Sequence, residues 1–270
     1  MLRTASSYYN AAEMDGGFSM ALGLRERESM ASRLEAETFD LIVVGGGITG
    51  AGIFRDAALR GLKVGLVEMD DFAFGTSSRS SKLVHGGLRY LQNGEFGLVH
   101  ESTTERVRLE HLAAHLVLPL PFLMPVWKDS RHGVRLMNVV LWLYDALSMF
   151  GVYRIHSHFG PKKVVETAPM VRKEGLTGGL LYYDAVTDDT RLTLENVLGG
   201  VQAGGVALSR ATAAGAEFQG GGVVSVTVYD LLNDRTLVVK TLAVIGAAVP
   251  WTEAAQVVLG IQDGPRLRPT

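Results

Sequence analysis

Two short segments concentrate residues whose types and spacing suit the binding of phosphates and a planar ring. The first is the string Gly45-Gly46-Gly47-Ile48-Thr49-Gly50, which follows the spacing GxGxxG. The second runs from Gly75 to Tyr90 and combines hydroxyls, cations, one histidine and adjacent glycines. Hydroxyls and cations donate hydrogen bonds to a ligand, and glycines let the backbone come close to a flat ring. Together the two segments suit a cofactor with both features.

The glycine string has the composition of a dinucleotide-binding turn. Gly45 permits the tight turn, Gly47 lets the backbone approach a pyrophosphate, and Gly50 lets helix and strand pack closely. The helix that follows would offer its first amide groups and a partial positive charge to the phosphates. We therefore assign the whole string to cofactor binding: Gly45, Gly46, Gly47, Ile48, Thr49 and Gly50.

The surroundings of the string carry this interpretation, because isolated matches arise easily in a chain with 32 glycines. The string follows the apolar run Leu41–Val44, and Glu68 ends the next apolar run, 18 residues past Gly50. Glu68 can accept hydrogen bonds from ribose hydroxyls and argues against a 2′-phosphate. A glycine-rich turn without a ligand is the alternative, and this fingerprint alone does not distinguish a nicotinamide from a flavin.

A βαβ unit must position these residues, so the sequence predicts an α/β fold. We expect a buried parallel strand at Leu41–Val44, a helix from Ile48 to Arg60 and a second strand from Lys63 to Glu68. Further predictions are a short solvated helix over 25–37, helices over 95–116 and 135–150, a hairpin near 220–222 and a strand over 242–245.

Two of these regions carry sharper expectations. Pro119, Pro121 and Pro125 are expected to break regular structure after the helix that begins near Glu95. The helix over 135–150 is expected to be amphipathic, with one apolar side formed by Leu136, Val139, Val140, Leu143 and Leu147.

Composition excludes several classes of protein. Apolar residues make up 47% of the 270 residues, which allows a sizeable core. The net charge of −2 gives no indication of bulk nucleic-acid binding, and the absence of cysteine excludes disulfides, thiolate metal ligands and a cysteine nucleophile. The most apolar stretch, residues 134–150, contains Arg135, Asn138 and Asp145 and does not predict a membrane span. We expect a cytoplasmic protein, either soluble or peripherally attached to a membrane.

The second segment carries a family resemblance. Residues 76–91, TSSRSSKLVHGGLRYL, resemble the string TSS-x-SSKL-x-HGGLRYL of FAD-dependent glycerol-3-phosphate dehydrogenases. Asp188–Leu192 resembles that family's DDARL segment, and Leu120–Pro125 is similar to its proline-rich stretch. The resemblance extends from about Phe39 to the last residue.

This resemblance implies a Rossmann-like FAD-binding domain and part of a second, sheet-based substrate domain. It implies oxidation of sn-glycerol 3-phosphate to dihydroxyacetone phosphate, with electrons passing from FAD to a quinone at the inner face of the cytoplasmic membrane. A homodimer is expected separately, through the apolar surface that a cut sheet would expose. The residues it assigns near the flavin are Thr76, Ser77, Ser78, Ser81, Lys82, His85 and Gly87. Those it assigns to catalysis and substrate binding are His85, Arg89 and Tyr90.

The chain departs from the family pattern at several positions. Phe54 stands where this turn usually has glycine or alanine, so that its ring is either absorbed by a neighbouring gap or weakens the site. Gly246 and Val249 replace an asparagine and a glycine in the family's Asn-Ala-(Thr or Ala)-Gly-Pro-Trp string. The chain ends at Thr270, where the family pattern continues, so we expect a fragment or decayed copy that does not turn over substrate alone.

The remaining expectations concern organisation and competing interpretations. We divide the chain into an N-terminal extension, 1–37, and an oxidoreductase region, 38–270, with FAD-binding parts at about 38–115, 185–215 and 240–270. The alternatives to a dehydrogenase are an oxidase using oxygen and a non-catalytic remnant. Histidines 111 and 115, and 156 and 158, are spaced like metal ligands but lack a third ligand, so we predict no metal site. Asp188, Asp189 and Arg191 form either an ion-pair cluster or part of the site.

Overall fold

The computed structural model describes residues 23–148 and 153–260 as seven helices and twelve strands within those ranges. The helices are α1 Leu24–Ala36, α2 Ile48–Leu59, α3 Phe96–Leu112, α4 Val134–Leu147, α5 Pro161–Thr167, α6 Asp189–Gln202 and α7 Thr252–Val258. The first six strands are β1 Thr38–Phe39, β2 Leu41–Val44, β3 Val64–Val67, β4 Leu83–Val84, β5 Leu118–Trp127 and β6 Ser157–Phe159. The others are β7 Leu176–Val186, β8 Val206–Leu208, β9 Ala211–Gln219, β10 Gly222–Asp230, β11 Arg235–Thr241 and β12 Val244–Gly246.

The chain folds as two compact units. Unit 1 contains the described residues up to Arg79 and those from Asp189 onward, and unit 2 contains Ser80–Asp188. Residues 1–22 of the expected N-terminal extension, residues 149 and 150 of the expected helix and residues 261–270 lie outside the described residues. The domain boundaries expected from the sequence stay a prediction.

Unit 1 is built on a parallel sheet of order β12-β2-β3-β8. The strands β2 and β3 are almost wholly apolar because both faces of this sheet are covered. Helices α2 and α6 pack on one face through a cluster that includes Val43, Phe54 and Val197. The opposite face packs against α1 and a second sheet of order β1-β11-β10-β9, through residues that include Ile42 and Val226.

The predicted βαβ unit and hairpin are present in unit 1. Strand β2, helix α2 and strand β3 follow one another within a residue or two of the expected bounds. The hairpin joins β9 and β10 through Gly220 and Gly221, whose φ angles are +62° and +85°. Successive positive φ angles of this kind suit glycine and match the twist of two antiparallel strands.

Helix α1 is not the solvated helix expected from its charge. One side of it, Met30, Ala31 and Leu34, is buried in the core beneath the second sheet. Arg27 on the same helix binds the carboxylate of Asp230 at 2.6 Å. The sequence pattern was misleading because these three apolar residues give only a narrow buried stripe among many charges.

Unit 2 is organised around the long strand β7. Strand β5 pairs antiparallel with β7 along its whole length, while β4 and β6 pair with it at Ala185–Val186 and Gly179–Leu181. The expectation that the prolines break regular structure here was wrong, because they lie within β5. Strand β5 is at the edge of this sheet, and its prolines at 119, 121 and 125 alternate so that none must donate to β7.

Helix α4 of unit 2 forms as expected but is turned the other way. Leu136, Val139 and Leu143, on the side expected to be buried, are 52%, 63% and 42% exposed. The buried side instead carries Tyr144 and Asp145, whose polar atoms have hydrogen-bond partners inside the unit. The helix is apolar on most of its circumference, so the polar partners decide which side faces inward.

No helix in the described part of the chain is both long enough and apolar enough to span a lipid bilayer.

Candidate cofactor and substrate site

The glycine turn of unit 1 follows β2 directly and is closed by main-chain contacts. The amide of Gly45 donates to the carbonyl of Val67 at 2.9 Å, and Gly45 has a φ of +113°. A Cβ atom at Gly45 would lie 2.7 Å from the carbonyl oxygen of Ala247, and one at Gly50 would lie 1.8 Å from that of Gly45. Positions 45 and 50 therefore require glycine because backbone occupies the space of any side chain.

Glu68 lies beside this turn at the end of β3. Its carboxylate accepts the amide of Gly46 at 2.6 Å and that of Asp70 at 2.9 Å. A Cβ atom at Gly46 would meet Phe72 at 2.7 Å and Glu68 at 2.9 Å. Glu68 thus holds the turn, and a carboxylate with two amide donors retains acceptor capacity for further groups because it has about four lone-pair sites.

The amino-terminal end of α2 is open toward the segment that follows β3. Gly47 precedes the helix, and both Ile48 and Thr49 are exposed in its first turn. The amide of Ile48 donates to the buried hydroxyl of Ser77 at 2.9 Å. Amide groups in the first turn of a helix lack partners within it, so this end attracts anions. Ser77 adds a hydroxyl at the same place.

The residues around Ser77 form one turn of 3₁₀ helix, Thr76–Ser78. Thr76 and Ser78 are exposed, and the Ser78 hydroxyl donates to the carbonyl of Phe74 at 3.0 Å. The guanidinium of Arg79 lies 4.4 Å from the centre of the Phe74 ring. Of the three residues expected near the flavin in this turn, unit 1 brings Ser77 against the glycine turn and leaves the other two at the surface.

Phe54 is accommodated by a gap, so the first of the two sequence alternatives is correct. Its ring is fully buried between α2 and α6. A Cβ atom at Gly200 would lie 2.4 Å from the ring, and one at Gly205 would lie 2.6 Å from it. Because Gly200 and Gly205 have no side chains, they leave the space that the Phe54 ring occupies.

Val249 is strained, as a β-branched residue in a glycine position would be. Its φ angle is +30°, in the region that side chains with a Cβ rarely adopt. The residue is 48% exposed and begins a short 3₁₀ helix that ends at Trp251. The Trp251 ring lies over Gly75, where a Cβ atom would be 3.1 Å from it. The side chain of Val249 contributes little packing that could offset its strained backbone.

Unit 2 begins with the other half of the hydroxyl-rich segment. Ser81 and Lys82 are exposed, and Lys82 has a φ of +58°. The Lys82 carbonyl accepts the amide of Thr187 at 3.0 Å, which ties the segment to the end of β7. Both of these predicted cofactor residues therefore present their side chains to solvent in this unit.

The HGGLRY residues follow β4 as a tight loop. The amide of Gly87 donates to Nδ1 of His85 at 3.1 Å, so the proton of the neutral imidazole is on Nε2. Gly87 has a φ of +73°, and a Cβ atom there would lie 2.2 Å from the Tyr90 ring. His85 and Arg89 are exposed and Tyr90 is half-buried. The loop therefore presents an imidazole donor and a guanidinium at the surface of unit 2.

A buried charged network lies beneath this loop, and the sequence reasoning missed it. Arg106 of α3 donates to Tyr144 at 3.2 Å and to the carboxylate of Asp184, and Tyr144 donates to Asp184 at 2.8 Å. Burial, and then the Asp184 charge, raise the pKa of Tyr144, and burial raises the pKa of Glu110 next to Arg106. An arginine in the middle of a predicted helix was the one available signal.

Of the histidine pairs considered as metal ligands, the described contacts concern His156. The buried ring of His156 contacts Asp145 at 2.7 Å and Asn138 at 3.0 Å. Within residues 23–148 and 153–260, no group of three or more acidic or histidine side chains is arranged to hold a metal ion. Arg191 pairs with Glu195 at 2.8 Å along α6, which leaves both readings of the 188–191 cluster open.

Comparison with known proteins places this geometry in a family. A model described as "FAD dependent oxidoreductase" matches residues 40–270. The chain belongs to the FAD-dependent oxidoreductase family. Its parallel sheet, glycine turn and second sheet-based unit are the fold expected for this family, so the fold and family predictions are confirmed.

Relatives within this family are similar along most of the chain. It is 39% identical over 235 residues to the aerobic glycerol-3-phosphate dehydrogenase of Staphylococcus haemolyticus. It is 34% identical over 257 residues to the alpha-glycerophosphate oxidase of Lactococcus lactis. These alignments cover 87% and 93% of the chain but only 42% of each relative.

A solved structure gives the same picture. The glycerol-3-phosphate dehydrogenase of Bacillus halodurans, complexed with FAD, superposes with a TM-score of 0.66 at 35% identity. That match covers 86% of this chain and 38% of the solved one. The chain thus spans about two fifths of the length of these family members.

Proposed function

We propose that the protein oxidises sn-glycerol 3-phosphate to dihydroxyacetone phosphate with FAD as the hydride acceptor. The observation that carries the proposal is the continuous similarity, 39% over 235 residues, to a protein named for this dehydrogenase reaction. The glycine turn, Glu68 and Ser77 supply a dinucleotide site of the kind the reaction needs. FAD, when bound, accepts the two electrons and supplies the redox chemistry that amino-acid side chains lack.

The residues of unit 1 fit the adenosine and pyrophosphate parts of FAD. The Thr49 amide and the hydroxyl proton of Ser77, whose oxygen accepts the Ile48 amide, would hold the pyrophosphate at the start of α2. The remaining acceptor sites of Glu68 would hold the ribose hydroxyls. Thr76, Ser81 and Lys82 would donate to the flavin as the family resemblance implies, and Ser78 would do so only by giving up its bond to the Phe74 carbonyl.

The residues of unit 2 fit a small phosphorylated alcohol. The exposed guanidinium of Arg89 can bind a phosphate through two parallel hydrogen bonds. Tyr90 lies beside it, and His85 presents Nε2–H, so His85 would orient the substrate as a donor. To accept a proton at Nε2 instead, the imidazole would have to give up the Gly87 amide and carry its proton on Nδ1.

The acceptor of the electrons divides the relatives into two groups, since one is named a dehydrogenase and another an oxidase. We propose a quinone as the acceptor, with peripheral contact at the inner face of the cytoplasmic membrane, because α4 presents Leu136, Val139, Trp142 and Leu143 at the surface of unit 2. The oxidase alternative predicts peroxide formation without added quinone. Measuring oxygen uptake and quinone reduction on the same preparation separates them.

A homodimer through the same apolar surface would appear as a doubled mass in solution.

The cofactor is tested on the purified chain. FAD titration should give the absorption of a bound flavin, whereas NADH should not compete for the site. Glu68→Ala should weaken FAD binding by about ten-fold, the loss expected for one hydrogen bond to a charged group. Binding of NADH in preference to FAD would overturn the proposal.

The substrate is tested on protein expressed from the complete reading frame. Arg89→Ala should raise the KM for glycerol 3-phosphate by about ten-fold or more while FAD stays bound, because one phosphate contact is lost. Arg131→Ala is the matched control, since Arg131 is also exposed in unit 2. Loss of FAD with an unchanged KM would reassign Arg89 to the cofactor.

A further inference from the structure

Arg106 is the largest fully buried side chain in the described part of the molecule. Its guanidinium lies in unit 2 between α3, α4 and β7, and the side chain is 1% exposed. The cofactor and substrate residues proposed above do not include it. A buried charge of this kind is costly unless it is paired and hydrogen-bonded, so its surroundings indicate what it is retained for.

One oxygen of Asp184 collects the donors of this region. Its Oδ1 accepts from Arg106, from the Tyr144 hydroxyl at 2.8 Å and from the backbone amide of Gly86 at 3.1 Å. The Asp184 side chain is 7% exposed. The third donor matters most for function, because Gly86 lies between His85 and Gly87 of the candidate substrate loop. The buried ion pair therefore ends on the main chain of that loop.

Steric contacts fix the loop at the same residue. A Cβ atom at Gly86 would lie 2.2 Å from the Tyr144 hydroxyl oxygen and 2.3 Å from the Thr103 methyl group. The loop backbone is thus pressed against α3 and α4, with no room for a side chain. Hydrogen bond and contact together leave one position for the Gly86 peptide.

The other loop residues take their places from this peptide. The Gly87 amide binds the His85 ring, and the Gly87 carbonyl accepts the amide of Tyr90 at 2.8 Å. The Tyr90 ring packs on Gly87, whose φ is +73°. His85, Arg89 and Tyr90 therefore lie within four residues of the one peptide that Asp184 binds.

We propose that Asp184, charged and held by Arg106 and Tyr144, is a positioning residue for the substrate loop 85–90. It acts through the Gly86 amide and touches neither substrate nor cofactor. An ion pair suits this task better than an apolar contact because a carboxylate fixes the direction of an N–H group, whereas apolar packing does not. The inference rests on the proposed function, since it supposes that Arg89 and Tyr90 bind the phosphorylated substrate.

The test uses Asp184→Asn, which keeps the shape of the side chain and removes the charge. Protein from the complete reading frame should show a KM for sn-glycerol 3-phosphate raised about ten-fold, with kcat less affected and FAD content unchanged, because a charge-assisted hydrogen bond is weakened. Amide hydrogen exchange in the 85–94 segment should accelerate in the same variant. Tyr144→Phe, which removes one donor and no charge, should move both readouts in the same direction by less.

The matched control is Asp129→Asn. Asp129 also binds an arginine, Arg172 at 2.8 Å in unit 2, but its side chain is 67% exposed. This control should leave KM, exchange and thermal unfolding unchanged. A folded Asp184→Asn protein with parental KM and parental exchange would overturn the proposal. A raised KM accompanied by comparable losses of bound FAD and of thermal stability would also overturn it, because that pattern marks a purely structural role.

Failure of the proposed function would look different. The parent protein would then not oxidise glycerol 3-phosphate at all, while Asp184→Asn would still change exchange in the 85–94 segment and Asp129→Asn would not. If Asp184→Asn does not fold, Tyr144→Phe alone decides, since parental KM and exchange in that variant contradict the proposal.

Discussion

The glycine turn at 45–50 and the loop at 85–90 both depend on glycine, but for different reasons. In the turn, the space that a side chain would need is filled by the carbonyl oxygens of Ala247 and Gly45. In the loop, the corresponding space beside Gly86 is filled by the side chains of Thr103 and Tyr144. The first loop is thus determined by backbone close to it in the fold, and the second by side chains from two helices.

This difference fits the proposal that the turn binds a dinucleotide and the loop a particular substrate. At Gly45 and Gly50 the turn is shaped by main chain, and Glu68 adds one bond to the Gly46 amide. A shape set mostly by main chain can recur in many proteins. A loop built against side chains can be adjusted by substituting them. It follows that variation in α3 and α4 is a route to altered substrate geometry without contact with the substrate.

The largest effect is expected for Gly50→Ala. Its Cβ would lie 1.8 Å from the Gly45 carbonyl oxygen, and main chain cannot move aside cheaply. We expect a loss of about 3 kcal/mol or more in the free energy of unfolding, at the upper end for overpacked sites, and roughly 100-fold weaker FAD binding. Chemical unfolding and FAD titration measure these quantities.

Gly52→Ala in the same helix is the control for that variant. No heavy atom lies within 4 Å of the Cβ position at Gly52, so alanine should stabilise the helix by up to about 1 kcal/mol. Equal destabilisation by both variants would contradict the steric account of the turn.

Gly86→Ala should cost less, about 1–3 kcal/mol, because side-chain atoms can shift further than backbone. The sharper expectation is rescue. Thr103→Ser removes the methyl group that would lie 2.3 Å from the new Cβ, so the double variant should recover part of the loss. Gly97→Ala, at an open position in α3, is the control. Strict additivity of the two changes in thermal unfolding would show that the side chains do not set this loop.

The ion pair Arg27–Asp230 in unit 1 provides a contrast with Arg106–Asp184, since it joins α1 to β10 and contacts no candidate site residue. Burial alone would raise the pKa of Asp230, but hydrogen bonds from Arg27 and Asn233 outweigh it and hold the pKa at about 2. The ordinary value is 3.8 and the side chain is 0% exposed.

Because this pKa is lower in the folded state, the ionised carboxylate stabilises the fold at pH values above the ordinary pKa. The contribution, about 2 kcal/mol, should disappear as the pH falls from about 4 through about 2. Comparing the pH dependence of unfolding in the parent and in Asp230→Asn isolates it. A variant with the same pH profile as the parent would show that Asp230 does not carry this stability.

The sequence predicted what depends on neighbouring residues in the chain. The glycine turn, the βαβ unit and the Gly220-Gly221 hairpin are each coded by a few consecutive positions, and all three are present. The orientation of α4 could not be predicted, because the inward-facing hydroxyl of Tyr144 binds Arg106, 38 residues earlier, and Asp184, 40 residues later. Arg106 and Asp184 are 78 residues apart, and neither belongs to a recognisable motif.

The same reasoning applies to β5 and to Phe54. Prolines exclude a central strand but not an edge, and the edge position of β5 is decided by β7, a strand far along the chain. Phe54 departs from the usual turn pattern, and its consequence depended on Gly200 and Gly205, two residues that no local rule connects to it. The ligand roles of the site residues in both units, including Arg89 and Glu68, stay predictions.

The smallest effect is expected at the strained turn that follows β12. Val249→Gly should relieve the strain of a β-branched residue at a φ of +30°, which stabilises the fold by about 1–3 kcal/mol. Glycine also gives the unfolded chain more backbone entropy, which destabilises the fold by about 0.5–1 kcal/mol. The net result is a gain of about 1 kcal/mol, and little packing is lost because the side chain is 48% exposed.

Val249→Ala separates the two causes of this gain. Alanine removes the branched side chain but keeps a Cβ atom, so it should recover less than glycine if the positive φ is the source of strain. Thermal unfolding of the two variants side by side measures the difference. The turn containing Val249 also follows Ala247, whose carbonyl oxygen lies against Gly45, so relief of strain here should tighten FAD binding along with the fold. Equal stabilities for the valine, alanine and glycine proteins would mean that position 249 tolerates its conformation without cost.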